Sequence, residues 1–474
     1  MSFLAIDLGA SFIKGAILDL EKMCLKNVLR FPFPGFINGP SPFHREVDPE
    51  AILSVFTELL HDLLSFAPEC AGIVMCGQMH GLILTDSRGK PLSNFISWQD
   101  KRILQPHPLP NENETYFDAL SKRISPVERQ QLGNELRPGL PICSLFWMHE
   151  KKELPAGAIP ASLPDFILTN LCGNRVGMEP TMAAAHGMLN LETLEWHHSV
   201  IENLGLGDLQ WPPVCSTGEI VGALKSTSRQ VACYAPVGDH QCTVVGACTD
   251  SDELSINIGT GSQVSFICSQ REYGDYQTRP FFDGQFLRTI THIPAGRSLN
   301  ALIKLLTELT KGGEIDLSEP WTNIAQAVGK IKNTDLSVNL TFFPGSFGDR
   351  GEISNIREDN LTVGHLFRAA FENMANNYWA CASRLSVKKS WRNLVFSGGL
   401  AQKLPVLREI IAQKFQTGYK VSPSSEDTLL GLLVLARFFT DHSINTLRQL
   451  TEKVRQSYSE KNSIIFEKFS SKNQ

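Results

Sequence analysis

Two spacings of apolar residues run through the chain. The first is the alternation expected of half-buried strands. It begins at Phe3-Leu-Ala-Ile, breaks at a turn holding Asp7, Gly9 and Ser11, and resumes in a second strand up to Leu20. The same plan returns in Leu254 to Ile267, where two alternating strands flank Gly259-Thr260-Gly261. Asp7-Leu-Gly9 and Asn257-Ile-Gly259 then hold equivalent places, each early in its half of the chain. That reads either as a repeat of two similar domains or as two unrelated hairpins.

The second spacing is helical. Asp48 as N-cap and Pro49 in the first turn open a helix whose Ile52, Phe56, Leu59, Leu60, Leu63 and Leu64 share a face. Thr362 to Leu385 predicts a long amphipathic helix, Leu299 to Leu309 an apolar one, and Ser424 to Phe439 a Leu-rich one capped near Ser424 or Ser425. In three places a short buried strand runs into a polar or glycine turn. These are Gly72 to Cys76 before Gly77-Gln78-Met79-His80-Gly81, Phe95-Ile-Ser before Trp98-Gln99-Asp100, and Arg392 to Phe396 before Ser397-Gly398-Gly399. Such strand ends are where α/β folds meet ligands. Gln105 to Gly133 is polar and predicts a surface insertion, and the chain from Thr440 predicts a surface helix with a frayed tail. The mixture predicts an α/β protein. A chain of 474 residues is long for one core, so two domains are expected, 1–249 and 250–474, divided at the acidic stretch around Asp250.

Composition narrows the classes. The chain is 42% hydrophobic and 20% charged, as in soluble globular proteins, and its net charge of -5 offers no broad basic face for nucleic acid. No apolar run approaches the roughly 18 residues of a membrane span, and no basic n-region precedes a hydrophobic core at the N-terminus. The 11 cysteines are scattered without a Cys-x-x-Cys pair or zinc-type spacing, which predicts free thiols and a reducing compartment, the cytoplasm by default. His197-His198 has no third ligand spaced to join it and reads as a solvated turn.

The candidate chemistry lies in Gly238-Asp239-His240-Gln241 and the hairpin just after it. Asp239 follows a glycine and opens an apolar, small-residue run, as a carboxylate at the start of a buried helix would. The amides of Gly259-Thr260-Gly261 can hold phosphate, because glycine permits close approach and positive φ. Gly398-Gly399, between a strand and a helix, lets a flat ring or a phosphate lie against bare backbone.

Taken in order, Asp7-Leu-Gly9, Gly77 to Gly81, Trp98-Gln99-Asp100, Gly238-Asp239, Gly259-Thr260-Gly261 and Ser397-Gly398-Gly399 resemble the motifs of the FGGY carbohydrate kinases. The resemblance runs from Ile6 to about Ala436, nearly the whole chain. It implies two actin-like ATPase (ribonuclease H-like) domains with an active-site cleft between them, sugar bound mainly by the first and ATP mainly by the second. It implies a small-molecule sugar and ATP as partners, with no nucleic acid and no membrane, in a monomer or homodimer. Gln78-Met79-His80 is similar to the turn of the ketose-using members. With His240 and Gln241 after the base and the stretch from Leu340 to His365, it makes sedoheptulose the expected acceptor and xylulose or another pentulose the alternative. Among xylulose-using members Asn usually stands where this chain has His240. A shape-changing actin-like ATPase is the alternative of another class.

The resemblance also assigns roles. Asp239 is the general base and Asp7 the Mg²⁺ ligand. Gly259, Thr260, Gly261 and Ser262, with Ser11 and Lys14, face the phosphates, and Gly398 and Gly399 lie beside adenine or ribose. Gln78, Met79, His80, Trp98, Asp100 and His240 line the sugar pocket. Ala10 departs from the family, where Thr is common, and Ser11 and Lys14 are the residues expected to compensate.

Overall fold

The computed structural model describes residues 1–108, 114–173, 177–225, 230–308, 320–441, 443–444 and 446–470. It contains two compact units. The first comprises Met1–Gly246 together with Thr278–Phe286 and the chain from Thr428 onward; the second comprises Ala247–Gln277 and Leu287–Asp427. The chain therefore leaves the first unit at residue 246 and revisits it twice, so the unit is not one contiguous stretch.

The first unit is built on a sheet of seven strands among the described residues. Ser2–Leu8 and Phe12–Asp19 form an antiparallel hairpin. Ser2–Leu8 pairs in parallel with Gly72–Gly77, which pairs in parallel with Val237–Gly238. The register sets Asp7 opposite Cys76, and Val237 opposite the same Cys76. Three adjacent parallel strands thus end together, and each runs straight into a chemistry-bearing turn: Asp7 to Ser11, Gln78 to His80, and Asp239. The helix Pro49–Phe66 covers this hairpin. The Asp48 side chain caps it by accepting from the Glu50 N–H at 3.0 Å, and Ile52, Phe56, Leu59, Leu60 and Leu63 are buried. Each such side chain contributes about 1.5–3 kcal/mol of transfer free energy before entropy is subtracted.

The second unit repeats the plan. Glu253–Ile258 and Ser262–Cys268 form a hairpin, and Glu253–Ile258 pairs in parallel with Asn393–Ser397. Thr362 caps the helix Val363–Leu385, whose buried face, including Phe367, Phe371, Met374 and Tyr378, belongs to the unit's core.

Some local expectations are corrected. The Leu-rich helix begins at Asp427, later than the Ser424–Ser425 cap. The apolar helix is Gly296–Thr307, and Leu309 lies outside the described residues. Gln105–Gly133, whose residues 109–113 lie outside the described set, is more than a surface insertion. It contains the helices Tyr116–Lys122 and Pro126–Gln131 and buries Tyr116 and Leu120. His197 is buried and bonded to Gln131 at 2.9 Å, because a short helix, His198–Asn203, starts at the next residue and turns it inward.

Candidate active site

Asp7 sits at the end of the first strand, buried. Thr428 donates its hydroxyl to Asp7 Oδ2 at 2.7 Å, Cys76 Sγ lies 3.7 Å from Oδ1, and Lys14 Nζ lies 3.5 Å from Oδ2. Lys14 is the cross-strand partner of Asp7 in the hairpin register, so the ion pair follows from the turn length. Ser11, in the turn, is exposed, and its carbonyl accepts from the Phe33 N–H at 3.0 Å.

Asp239 is the first residue of the helix Asp239–Gly246. The preceding Gly238 N–H donates to Thr181 Oγ1 at 2.8 Å, which anchors the strand-to-helix turn. Desolvation pushes the Asp239 carboxyl up to about 7, the Asp7 carboxylate pushes the same way, and the Arg279 guanidinium opposes them. An acid held there is half deprotonated near neutral pH, where a general base works best.

The polar turn after Gly77 contributes three expected residues. Gln78 and Met79 are buried, and the Gln78 N–H donates to Leu8 O at 2.9 Å. His80 has φ +70°, a conformation that histidine adopts more readily than most residues. Its ring nitrogens each lie 3.4 Å from Arg137 Nη2, and Nε2 is 3.8 Å from Glu135 Oε2. His240 is buried, with Nδ1 2.8 Å from Arg279 Nη1. Arg279 also donates from Nε to Glu135 and approaches Met79 Sδ at 3.8 Å. Met79, His80 and His240 therefore belong to one network, knitted by Glu135, Arg137 and Arg279. Trp98 is half-buried.

Asp100 departs from its expected place in the sugar pocket. Its Oδ1 accepts from the Arg102 backbone N–H and Nε, both at 2.9 Å. Its Oδ2 accepts from Arg102 Nη2 at 2.9 Å and from the Arg45 N–H at 2.8 Å. Four donors occupy the carboxylate, which holds a loop together instead of facing a ligand.

In the second unit the hairpin turn is bound from behind. The Gly296 and Arg297 N–H groups donate to Gly259 O at 3.2 Å and Thr260 O at 2.8 Å, and the Gly259 N–H donates to Gly261 O at 3.0 Å. Gly261 has open space where a side chain would stand. Ser262 is buried and its hydroxyl is bonded to Tyr378 OH at 2.6 Å, so its side chain serves the core and not the turn. Gly398 has φ +86°, and a Cβ there would lie 2.6 Å from Ile258 O, so only glycine fits. The Gly398 N–H donates to Asp427 Oδ2 at 3.0 Å, and Gly399 is open.

Thr428, Glu135, Arg137 and Arg279 were not singled out from sequence. Each reaches its site through the fold, from a segment without a local motif.

The chain belongs to the FGGY family of carbohydrate kinases: the model of the family's N-terminal domain matches residues 2–252. Xylulose kinase of Staphylococcus epidermidis is 27% identical over 283 residues, covering 56% of this chain and 53% of that protein. Gluconokinase of Bacillus subtilis is 22% identical over 491 residues, covering 96% and 90%. The chain spans about half the length of the xylulose kinases it matches. Among solved structures, ligand-bound xylulose kinase from Lactobacillus acidophilus has a TM-score of 0.80 at 19% identity over 98% of this chain and 97% of that one. Plasmodium falciparum glycerol kinase with ADP has a TM-score of 0.80 at 17% identity over 100% and 98%. The fold is thus that of the FGGY kinases, with two actin-like ATPase domains. No helix among the described residues is long and apolar enough to cross a membrane, and all 11 cysteines are free.

Proposed function

We propose that the chain is an ATP-dependent sugar kinase that transfers the γ-phosphoryl group to a terminal hydroxyl of a ketose. The observation that carries this reading is the pairing of strand ends. Asp239, the base, directly follows the strand on one side of the one that precedes Gln78, and Asp7, paired with Lys14 across the hairpin, lies near the end of the strand on its other side. The hydroxyl oxygen attacks the γ-phosphorus, the bond to the β–γ bridging oxygen breaks, ADP leaves, and the hydroxyl proton passes to Asp239. Phosphoryl transfer asks the protein mainly for alignment and charge, and a base near neutral pKa contributes roughly 10²–10⁴ in rate.

On this reading the first unit holds the sugar and the second the nucleotide. The Thr260 and Gly261 amides face phosphate, the Gly259 N–H being spent inside the turn on Gly261 O, and Gly398 and Gly399 offer bare backbone to ribose or adenine. Lys14 adds positive charge, and Ser11 lies exposed in the first turn. Asp7 is the residue that would hold Mg²⁺. No group of three or more His, Cys, Asp or Glu residues able to hold a metal ion occurs among the described residues. A single carboxylate fits an ion that keeps its waters and takes phosphate oxygens as ligands, better than one needing a protein cage. When bound, the ion neutralises phosphate charge.

The finer reading is sedoheptulose as acceptor, supported by Gln78-Met79-His80 and by His240-Gln241. Xylulose is the second reading, favoured by the relatives named xylulose kinase. The deciding experiment measures ADP release with and without sedoheptulose, xylulose, gluconate and glycerol, with mass analysis of the sugar. A product one phosphoryl group heavier supports the kinase. Steady ADP release without any phosphorylated sugar would favour a shape-changing ATPase.

A further inference from the structure

The backbone around Asp239 is gripped on both sides by threonine hydroxyls. The Thr243 hydroxyl, one helical turn on, donates to Asp239 O at 2.9 Å. On the other side the Gly238 N–H donates to Thr181 Oγ1 at 2.8 Å, across 57 positions. Gly238 is closely packed as well: a Cβ there would stand 2.7 Å from Gln241 Oε1 and 3.2 Å from Met79 Sδ. All of these residues belong to the first unit.

A threonine hydroxyl has one proton and two lone pairs. Thr181 gives its proton to Glu179 Oε2, which leaves its oxygen to accept from Gly238. The same Oε2 accepts from the Thr181 N–H at 2.7 Å, and Oε1 accepts from the Thr217 hydroxyl at 2.5 Å. Glu179 and Thr181 are both buried. Burial raises the pKa of Glu179, and the groups that oppose it are the hydroxyls of Thr181 and Thr217 and the N–H groups of Thr181 and Met182. Glu179 is thus a buried carboxylate held by neutral donors. It also caps the six-residue helix Pro180–Ala185, but a cap takes one side-chain acceptor, which Ser or Asn supplies without burying a charge. A charged acceptor holds a hydroxyl proton roughly twice as strongly as a neutral one. With that proton held, the Thr181 oxygen can only accept on the side of Gly238.

We infer that Glu179 and Thr181 are positioning residues for phosphoryl transfer: Glu179 fixes the Thr181 hydroxyl as an acceptor, and Thr181 fixes the peptide between Gly238 and the residue before it, so that Asp239 is held in place to meet the attacking hydroxyl. The inference rests on the reading of Asp239 as the base of a sugar kinase. Both residues act through the backbone and need no contact with a ligand. A displaced base spoils alignment and leaves ground-state binding in place, and a misplacement of about 1 Å can cost on the order of a hundredfold in rate.

The test is a double-mutant cycle on the full chain, with kcat and the KM values for sugar and ATP measured throughout. T181V keeps the shape and removes the acceptor. It should lower kcat at least about tenfold, with both KM values within about threefold of the wild type. T181S keeps the hydroxyl and should hold kcat within about threefold of the wild type. E179Q keeps the shape and gives up the charge, so it should lower kcat about three- to tenfold with both KM values again little changed. In the D239N background no base is left to place. There T181V and E179Q should each lower kcat by less than about twofold further. A pair that served only the fold would raise the KM values, or would multiply its loss with that of D239N, and either result overturns the inference. So would wild-type kcat in T181V or in E179Q, or a T181S as slow as T181V. Should T181V fail to fold, E179Q alone and in the D239N background decides the matter. A wild type that phosphorylates no sugar removes the kinase reading, and a D239N of normal turnover removes the base, each taking the inference with it. Failure of the cycle alone leaves both readings standing.

Discussion

Thr428 donates its hydroxyl to Asp7 Oδ2 at 2.7 Å, joining the two ends of a chain across 421 positions. The bond fixes the orientation of a carboxylate whose other neighbours are Lys14 and Cys76. Asp7 is buried, so a change at Thr428 is felt at the carboxylate before solvent can compensate.

From this we expect T428V, which keeps the shape and removes the donor, to fold normally and to need more Mg²⁺. Outer partners of a metal-binding carboxylate are typically worth about 10–100-fold in metal affinity or activity. A Mg²⁺ titration of the rate should show the half-saturating concentration rising by roughly that factor, with the acceptor KM little changed. An unchanged titration would assign Asp7 to the fold and not to the ion.

Replacing the base is the plainest check on the chemistry. D239N should leave sugar and nucleotide binding nearly intact while lowering kcat by at least about a hundredfold. Calorimetry of sugar binding beside steady-state rates separates the two effects. Near-normal turnover would remove Asp239 from the role of base.

The pH profile follows from the same residue. Asp239 is raised to about 7, so on the proposed reading the base should be protonated, and turnover lost, below that pH. We expect kcat/KM to fall tenfold per pH unit below about 7. The Asp7 carboxylate contributes to the upward shift, so neutralising it should lower the midpoint. The apparent midpoint should therefore move down as Mg²⁺ is raised. The sign for stability is opposite to that for activity. A carboxyl whose folded pKa lies above its unfolded value of 3.8 costs stability as pH rises between the two values. D239N should thus melt above the wild type at about pH 8, and the gap should close toward about pH 4. A midpoint near 4 in kcat/KM at low Mg²⁺ would contradict the buried-base reading.

What the sequence shows of this site is what is local to a strand end. Asp7, Gln78 and Asp239 each follow a short apolar run, and that pattern is visible without the fold. Glu135 and Arg279 meet across 144 positions, and Arg279 and His240 across 39; neither arginine nor glutamate has a neighbouring motif to announce it. Asp100 shows the reverse error. A carboxylate after a strand looks the same in sequence whether it faces a ligand or an arginine two residues on. Ser262 fails similarly: its hydroxyl is taken by Tyr378, 116 positions away, which turn chemistry alone does not reveal. The hairpins were legible as alternations, and the two returns of the chain to the first unit were not, because packing rather than local pattern decides them.

The reassignment of Asp100 is directly testable. Removing one partner of a buried, hydrogen-bonded ion pair typically costs about 3–5 kcal/mol. Arg102 retains Glu46 as a second carboxylate, so D100A should lie near the lower end, about 3 kcal/mol, by denaturant titration. In the fraction that remains folded, the acceptor KM should stay within about twofold of the wild type, since a structural residue removes stability without uniform binding. A large rise in acceptor KM with unchanged stability would return Asp100 to the sugar pocket.

The acceptor itself is the last question the site can answer. His240 and Gln241 stand immediately after the base, and Gln78, Met79 and His80 stand on the neighbouring strand end. The His80 side of this group is crowded with donors, because Arg137 lies against the ring and Arg279 against His240. A pocket built of such hydrogen-bonding groups favours an acceptor with many oxygens over analogues that lack them. We therefore expect kcat/KM for sedoheptulose to exceed that for xylulose, with glycerol a poor substrate. H240N replaces the imidazole by a shorter amide and should move the ratio toward xylulose. Parallel rates on sedoheptulose, xylulose, ribulose, gluconate and glycerol, for wild type and variant, test both statements. A wild type that prefers xylulose, with a ratio H240N does not move, would leave a sugar kinase whose acceptor length is read elsewhere than at His240.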